Sequence, residues 1–136
     1  MCTFDNDPTF ELPKTKYTTV YKLFKDGKLF INSPMNITLT QDFKFGKNKW
    51  KQKIADKTGN KQSGFQVFVN EKDAKRFSYM LSHDFDLIIP LKIAIKDIVK
   101  ATRNCAGMVM GKGFEAYEIK SFKLTKKQWN EELNKE

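Results

Sequence analysis

The chain has 136 residues, with 25 Lys plus Arg against 16 Asp plus Glu, and a formal net charge of +9. That length fits one domain able to bury a core without disulfide or metal support, and the longest apolar run, Leu87 to Ile95, is broken by Pro90 and Lys92 and is too short to span a bilayer. Arg76 and Arg103 are the only arginines, so the charge favours contacts to phosphate over forked recognition of base edges.

Met1 to Pro13 reads as an irregular N-terminal segment, with Pro8 and Pro13 and little periodicity. Tyr17 to Phe24 is rich in β-branched and aromatic residues and predicts a strand, which Asp26-Gly27 turns into a second strand over Leu29-Phe30-Ile31. Asn32-Ser33-Pro34 ends that strand, because proline donates no ladder hydrogen bond. Ile37 to Thr40 and Lys49 to Ile54 read as two more strands, followed by a polar loop from Asp56 to Ser63. Gly64 opens a buried strand, Phe65 to Val69, and Asn70 is placed to cap a helix with Glu71 and Asp73 in its first turn. Ala74, Phe77 and Leu81 form one apolar stripe on that helix, which is expected to run as far as Ser82. Leu87 to Ile95 is a strand, followed by Asp97 to Thr102. Met108 to Met110, a turn at Gly111-Lys112-Gly113, and Phe114 to Leu124 predict a late hairpin. Thr125-Lys126-Lys127-Gln128 has the capping-box pattern, giving a C-terminal helix from Lys126 to about Asn134 anchored by Trp129 and Leu133. The expected fold is a single α+β domain over residues 1–136. Its curved, mostly antiparallel sheet carries one central helix packed on it and a short C-terminal helix.

The stretch from Phe43 to Lys53 carries the main functional signal. Read as a strand from Lys49 onward, the chain puts Lys49, Lys51 and Lys53 on one face and Trp50, Gln52 and Ile54 on the other. Ammonium groups beside a large π-surface suit a phosphate-bearing partner, whereas edge strands also carry lysine simply to prevent aggregation. A ligand site is expected near Tyr21, Lys22, Ser33, Trp50 and Gln66: Ser33 in a turn, Trp50 as a stacking surface, and Gln66 with both donor and acceptor. The alternative is that alternating strand residues such as Lys22 and Gln66 face solvent.

Other constellations fall short of a known chemistry. Gly107 to Gly113 has three residues between its first two glycines and no Ser or Thr after Lys112, so it reads as a hairpin turn, with Lys112 at a tip that can touch a phosphate. His83, Asp84 and Asp86 have metal-ligand chemistry, but the chain has no second histidine, and no metal or cofactor is expected. The lone histidine also removes the usual general base, so no catalytic residue is assigned. Cys2 would become an N-terminal nucleophile only after loss of Met1, and Thr3 to Asn6 lacks the Gly- or Arg-rich continuation such enzymes use. Cys2 and Cys105 match no zinc spacing and suit a reducing cytoplasm, and no signal-peptide pattern is read before the first strand.

Met1-Cys2, Val20-Tyr21-Lys22, Ser33-Pro34, Trp50, Gly64-Phe65-Gln66 and Asp73-Ala74 occur in an order that resembles small accessory proteins of tailed bacteriophages and prophages. Met35 stands where that family has an aromatic residue and Gln66 where it has histidine, so no chemistry of that histidine carries over. The resemblance implies phage origin and a role in the host cytoplasm during infection. The combined expectation is a binding protein for nucleic acid or a nucleotide signal, acting in counter-defence or host takeover, with no membrane partner. Two rivals are an ADP-ribosyltransferase-like or nucleotide-cleaving enzyme using Tyr21-Lys22, a serine and Glu118, and an inhibitor of a host defence protein or a virion component.

Overall fold

The computed structural model describes residues 12–25, 27–32, 39–51, 54–55, 61–62, 64–80, 87–103 and 115–134. In chain order the strands are β1 (Tyr17–Lys25), β2 (Lys28–Asn32), β3 (Leu39–Gln41), β4 (Gly46–Lys49), β5 (Ile54–Ala55), β6 (Lys61–Gln62), β7 (Phe65–Phe68), β8 (Leu87–Ala94), β9 (Ile98–Arg103), β10 (Glu115–Ile119) and β11 (Ser121–Leu124). Helix α1 (Glu71–Met80) follows β7, and α2 (Lys126–Leu133) follows β11. The α+β class, the antiparallel pairing and both helices agree with the sequence reading.

The main sheet has seven strands, with the order β3-β2-β1-β7-β10-β9 and β8 paired to β1. Among the described residues no sheet is curled, so the expected curved sheet is corrected to an open one that ends on β3 and β9. It branches instead. β8 pairs along all of β1 but its last residue, from Tyr17 opposite Ala94 to Phe24 opposite Leu87. A strand has two hydrogen-bonding edges, so β2 and β7 share the other one: β2 takes Phe24 and Lys25, and β7 takes Tyr21.

Local chemistry explains most of the elements. The β1–β2 hairpin closes with Lys25 opposite Lys28, and Gly27 adopts φ +73°, a conformation glycine takes without steric cost. Asn70 caps α1 by accepting the Asp73 N–H at 2.8 Å, and the buried Asp73 carboxylate also accepts from Arg76 at 3.1 Å and from the Glu115 N–H at 3.2 Å. That last bond fastens the helix start to β10. Gly64 lies so close to β10 that an added Cβ would meet the Ile119 carbonyl oxygen at 2.5 Å.

Two cores flank the sheet. Alternation along β1 sends Val20 and Phe24 into a large cluster with Phe65, Val67, Ile89 and Leu91, and Phe122 and Leu124 from β11 belong to it as well. Tyr21 and Leu23 face the smaller cluster, where Ala74 and Phe77 of α1 pack on Phe30, Phe68 and Ala116. The large core is roofed by the two-stranded β4–β11 sheet and by Trp129 of α2.

Four expected elements are corrected. The polar loop expected from Asp56 to Ser63 contains strand β6 at Lys61–Gln62, paired with β5. The strand expected over Lys49 to Ile54 ends at Lys49 and starts earlier, at Gly46, while Trp50 and Lys51 lie outside any strand. The expected Phe114–Leu124 strand is two strands in different sheets, parted at Lys120, whose N–H donates to Asp97 O at 3.0 Å. Leu133 is 47% exposed and does not anchor α2; Trp129 does. Of the expected elements, residues 1–11, Asp26, Ser33 and Pro34, Ile37 and Thr38, Gln52 and Lys53, residues 56–60, Ser63, Leu81, Ser82 and Met108 to Phe114 lie outside the described residues.

Candidate functional site

The basic stretch from Phe43 to Lys51 is organised by one buried side chain. Asn48 on β4 accepts from the Lys44 N–H at 3.2 Å, and its amide donates to Lys44 O at 2.9 Å and Gly46 O at 3.4 Å. Together with Gly46 at φ +106°, this fixes a tight turn ahead of the strand. Phe43 pins the base of the turn to the core, with its ring 5.2 Å from Phe24 and 5.0 Å from Trp129.

With Asn48 facing inward, Lys47 and Lys49 point outward, and both are exposed. The register places Lys47 opposite Lys123 and Lys49 opposite Ser121 on β11. Directly opposed like charges destabilise a strand pair. Lys44, Lys47, Lys49 and Lys51 line an open groove of about 600 Å³, together with Gln41, Asp42, Phe43 and Asn48. Its one carboxylate, Asp42, lies 3.6 Å from Lys28. Among the described residues, Lys44, Lys47, Lys49, Lys51 and Lys123 have no carboxylate within 4 Å.

The candidates named from sequence divide between two places. Lys49 and Lys51 belong to the groove, whereas Tyr21, Lys22, Trp50 and Gln66 do not line it. Trp50 packs edge-on to Phe65 at 5.2 Å, and its backbone N–H donates to Lys120 O at 2.8 Å. Tyr21 is half-buried against the smaller core. Ser33, Lys53 and Lys112 lie outside the described residues, as do Cys2, Cys105, His83, Asp84 and Asp86.

Lys22 and Gln66 meet at the sheet's branch point, and both are buried. The Lys22 ammonium donates to Phe30 O of β2 and, at 3.1 Å, to Gln66 O of β7, one carbonyl from each of the diverging strands. It also sits 5.7 Å from the Phe30 ring centroid. Desolvation lowers its pKa from 10.5 to about 7. The solvent-facing alternative for these two residues is therefore corrected: both are buried, and the Lys22 ammonium bridges a carbonyl of β2 and one of β7 where those strands part. Glu118, opposite Gln66 on β10, is buried and lies 3.7 Å from Lys100.

Sequence reading passed over Asn48, Lys47 and Lys123 as site residues. Lys47 stood inside the basic run, but its pairing with Lys123 is a matter of register, which the run does not reveal. Among the described residues, no helix is long and apolar enough to cross a membrane. Compared with known proteins, the chain matches no family model, no curated protein and no solved structure.

Proposed function

We propose that this chain is a binding protein that engages a phosphate-bearing partner through the groove lined by Lys44, Lys47, Lys49 and Lys51, with Lys123 beside it. The observation carrying this reading is Lys47 opposed to Lys123, with no carboxylate within 4 Å of either among the described residues. The arrangement costs stability in the free protein, and an anion between the two ammonium groups relieves that cost. The +9 charge adds attraction at longer range. The order of motifs shared with phage accessory proteins supports placing this binding in the cytoplasm of an infected bacterium, where the partner is nucleic acid or a nucleotide signal of host defence.

Titration calorimetry with inorganic polyphosphate tests the reading. The Lys47→Gln/Lys123→Gln protein should bind roughly tenfold more weakly and show a salt dependence shallower by about two in log–log slope, because two fewer cations release counterions. It should melt no lower than the parent. Affinity and salt slope equal to the parent's would overturn the proposal.

A further inference from the structure

Resting on that reading, we infer that the groove takes single-stranded nucleic acid, with Phe45 rather than Trp50 as the side chain on which a base stacks. Trp50 is committed to the core through its edge contact with Phe65. Phe45 is 46% exposed and, without lining the groove itself, lies in the chain between Lys44 and Lys47, both of which do. Its ring lies 5.8 Å from Phe43 at 84°, and Phe43 is itself locked against Phe24 and Trp129. The turn beneath it is fixed by Asn48 and by the positive φ of Gly46. The result is a braced, exposed aromatic ring packed on a lining residue of a cationic groove, the combination that binds unpaired strands.

The groove's chemistry narrows the class further. The Asn48 amide is spent on the turn, and the groove's other polar side chains, Gln41 and the exposed Asp42, are outnumbered by four lysines. Recognition then depends on charge and on a base's flat face, which makes it tolerant of sequence. In a duplex the base faces are covered by their neighbours, so the Phe45 ring gains nothing from them. A mononucleotide supplies the face but spans too few of the lysines to compete with a chain.

Fluorescence anisotropy with a labelled oligothymidine, a duplex of equal length and unlabelled inorganic polyphosphate as competitor separates the possibilities. Phe45→Ala should weaken oligothymidine binding roughly fivefold or more, the range expected for loss of one stacked base, and leave polyphosphate competition unchanged. Phe45→Trp should retain or tighten oligothymidine binding, which distinguishes stacking from a folding defect. Unchanged oligothymidine affinity in Phe45→Ala would overturn the inference and leave the polyanion reading standing. So would a duplex bound as tightly as the single strand, or thymidine monophosphate competing as well as the oligomer at equal phosphate. If neither oligothymidine nor polyphosphate binds the parent protein at low salt, both the inference and the reading beneath it fail.

Discussion

A lysine with no exposed surface must shed its proton or find compensation, and Lys22 meets two carbonyls with no carboxylate within 4 Å among the described residues. The carbonyls favour the ammonium form, but desolvation outweighs them and brings the pKa to about 7. In the unfolded chain the same amine titrates near its ordinary value. Between pH 7 and about 10 the unfolded state therefore holds a proton that the folded state has released, and stability rises with pH across that window. Below pH 7 both states are protonated, and this residue's penalty is present in full. One proton held only by the unfolded state is worth about 1.4 kcal/mol for each pH step of one, so urea unfolding at pH 7 and pH 10 should differ by on the order of 3 kcal/mol from this group. Lys22→Met should flatten that dependence while leaving two carbonyls short of a donor. A parent protein whose stability is flat or falling from pH 7 to 10 would show that Lys22 keeps its charge in the fold.

Helix α2 shows how a short element depends on one contact. Thr125 and Gln128 form the full capping box, with bonds of 3.1 Å to the Gln128 N–H and 2.9 Å back to the Thr125 N–H. Eight residues do not make a stable helix in water, so docking must supply the rest. Trp129 provides it, with its ring 5.1 Å from Phe24 and 5.0 Å from Phe43. Trp129→Ala should cost about 3 kcal/mol, whereas Leu133→Ala, at a position 47% exposed, should change stability by about 0.5 kcal/mol or less. Urea unfolding of the two variants checks this, and equal losses would contradict the packing described. Because Phe43 also supports the turn carrying Lys44 and Phe45, the Trp129 variant should loosen the groove as well. The capping pattern was legible because all of its partners lie within four residues. Which of the two apolar residues docks was not, because both lie one turn apart on the same stripe and only the position of Phe24 chooses between them.

For the whole molecule, the +9 charge favours partners of opposite sign and opposes compaction. Raising NaCl from about 10 to about 150 mM shortens the Debye length from roughly 30 to 8 Å and should raise the melting temperature by a few degrees. A melting temperature that is flat or falls with salt would mean that local ion pairs outweigh self-repulsion. Some of this architecture was written locally. Gly27 set the first hairpin, Asn70 and Thr125 set the helix starts, and alternation along β1 divided Val20 and Phe24 from Tyr21 and Leu23. These signals are steric and hydrogen-bonding preferences within a few residues, so the sequence alone determines them. The solvent exposure of Lys49 and Lys51 was also readable from their charge, though not from period two, since β4 ends at Lys49. The branch in the sheet was not. Lys22 resembles any solvent-facing strand lysine until β7 arrives and presents a carbonyl 44 positions away in the chain. The Lys47–Lys123 pair is likewise a product of assembly: Lys47 becomes one of a repelling pair only when β11 brings Lys123 opposite it, and the break at Lys120 is what frees β11 to do so. Tertiary structure decided these features because each depends on which distant strand occupies a hydrogen-bonding edge, and residue type constrains that choice only weakly.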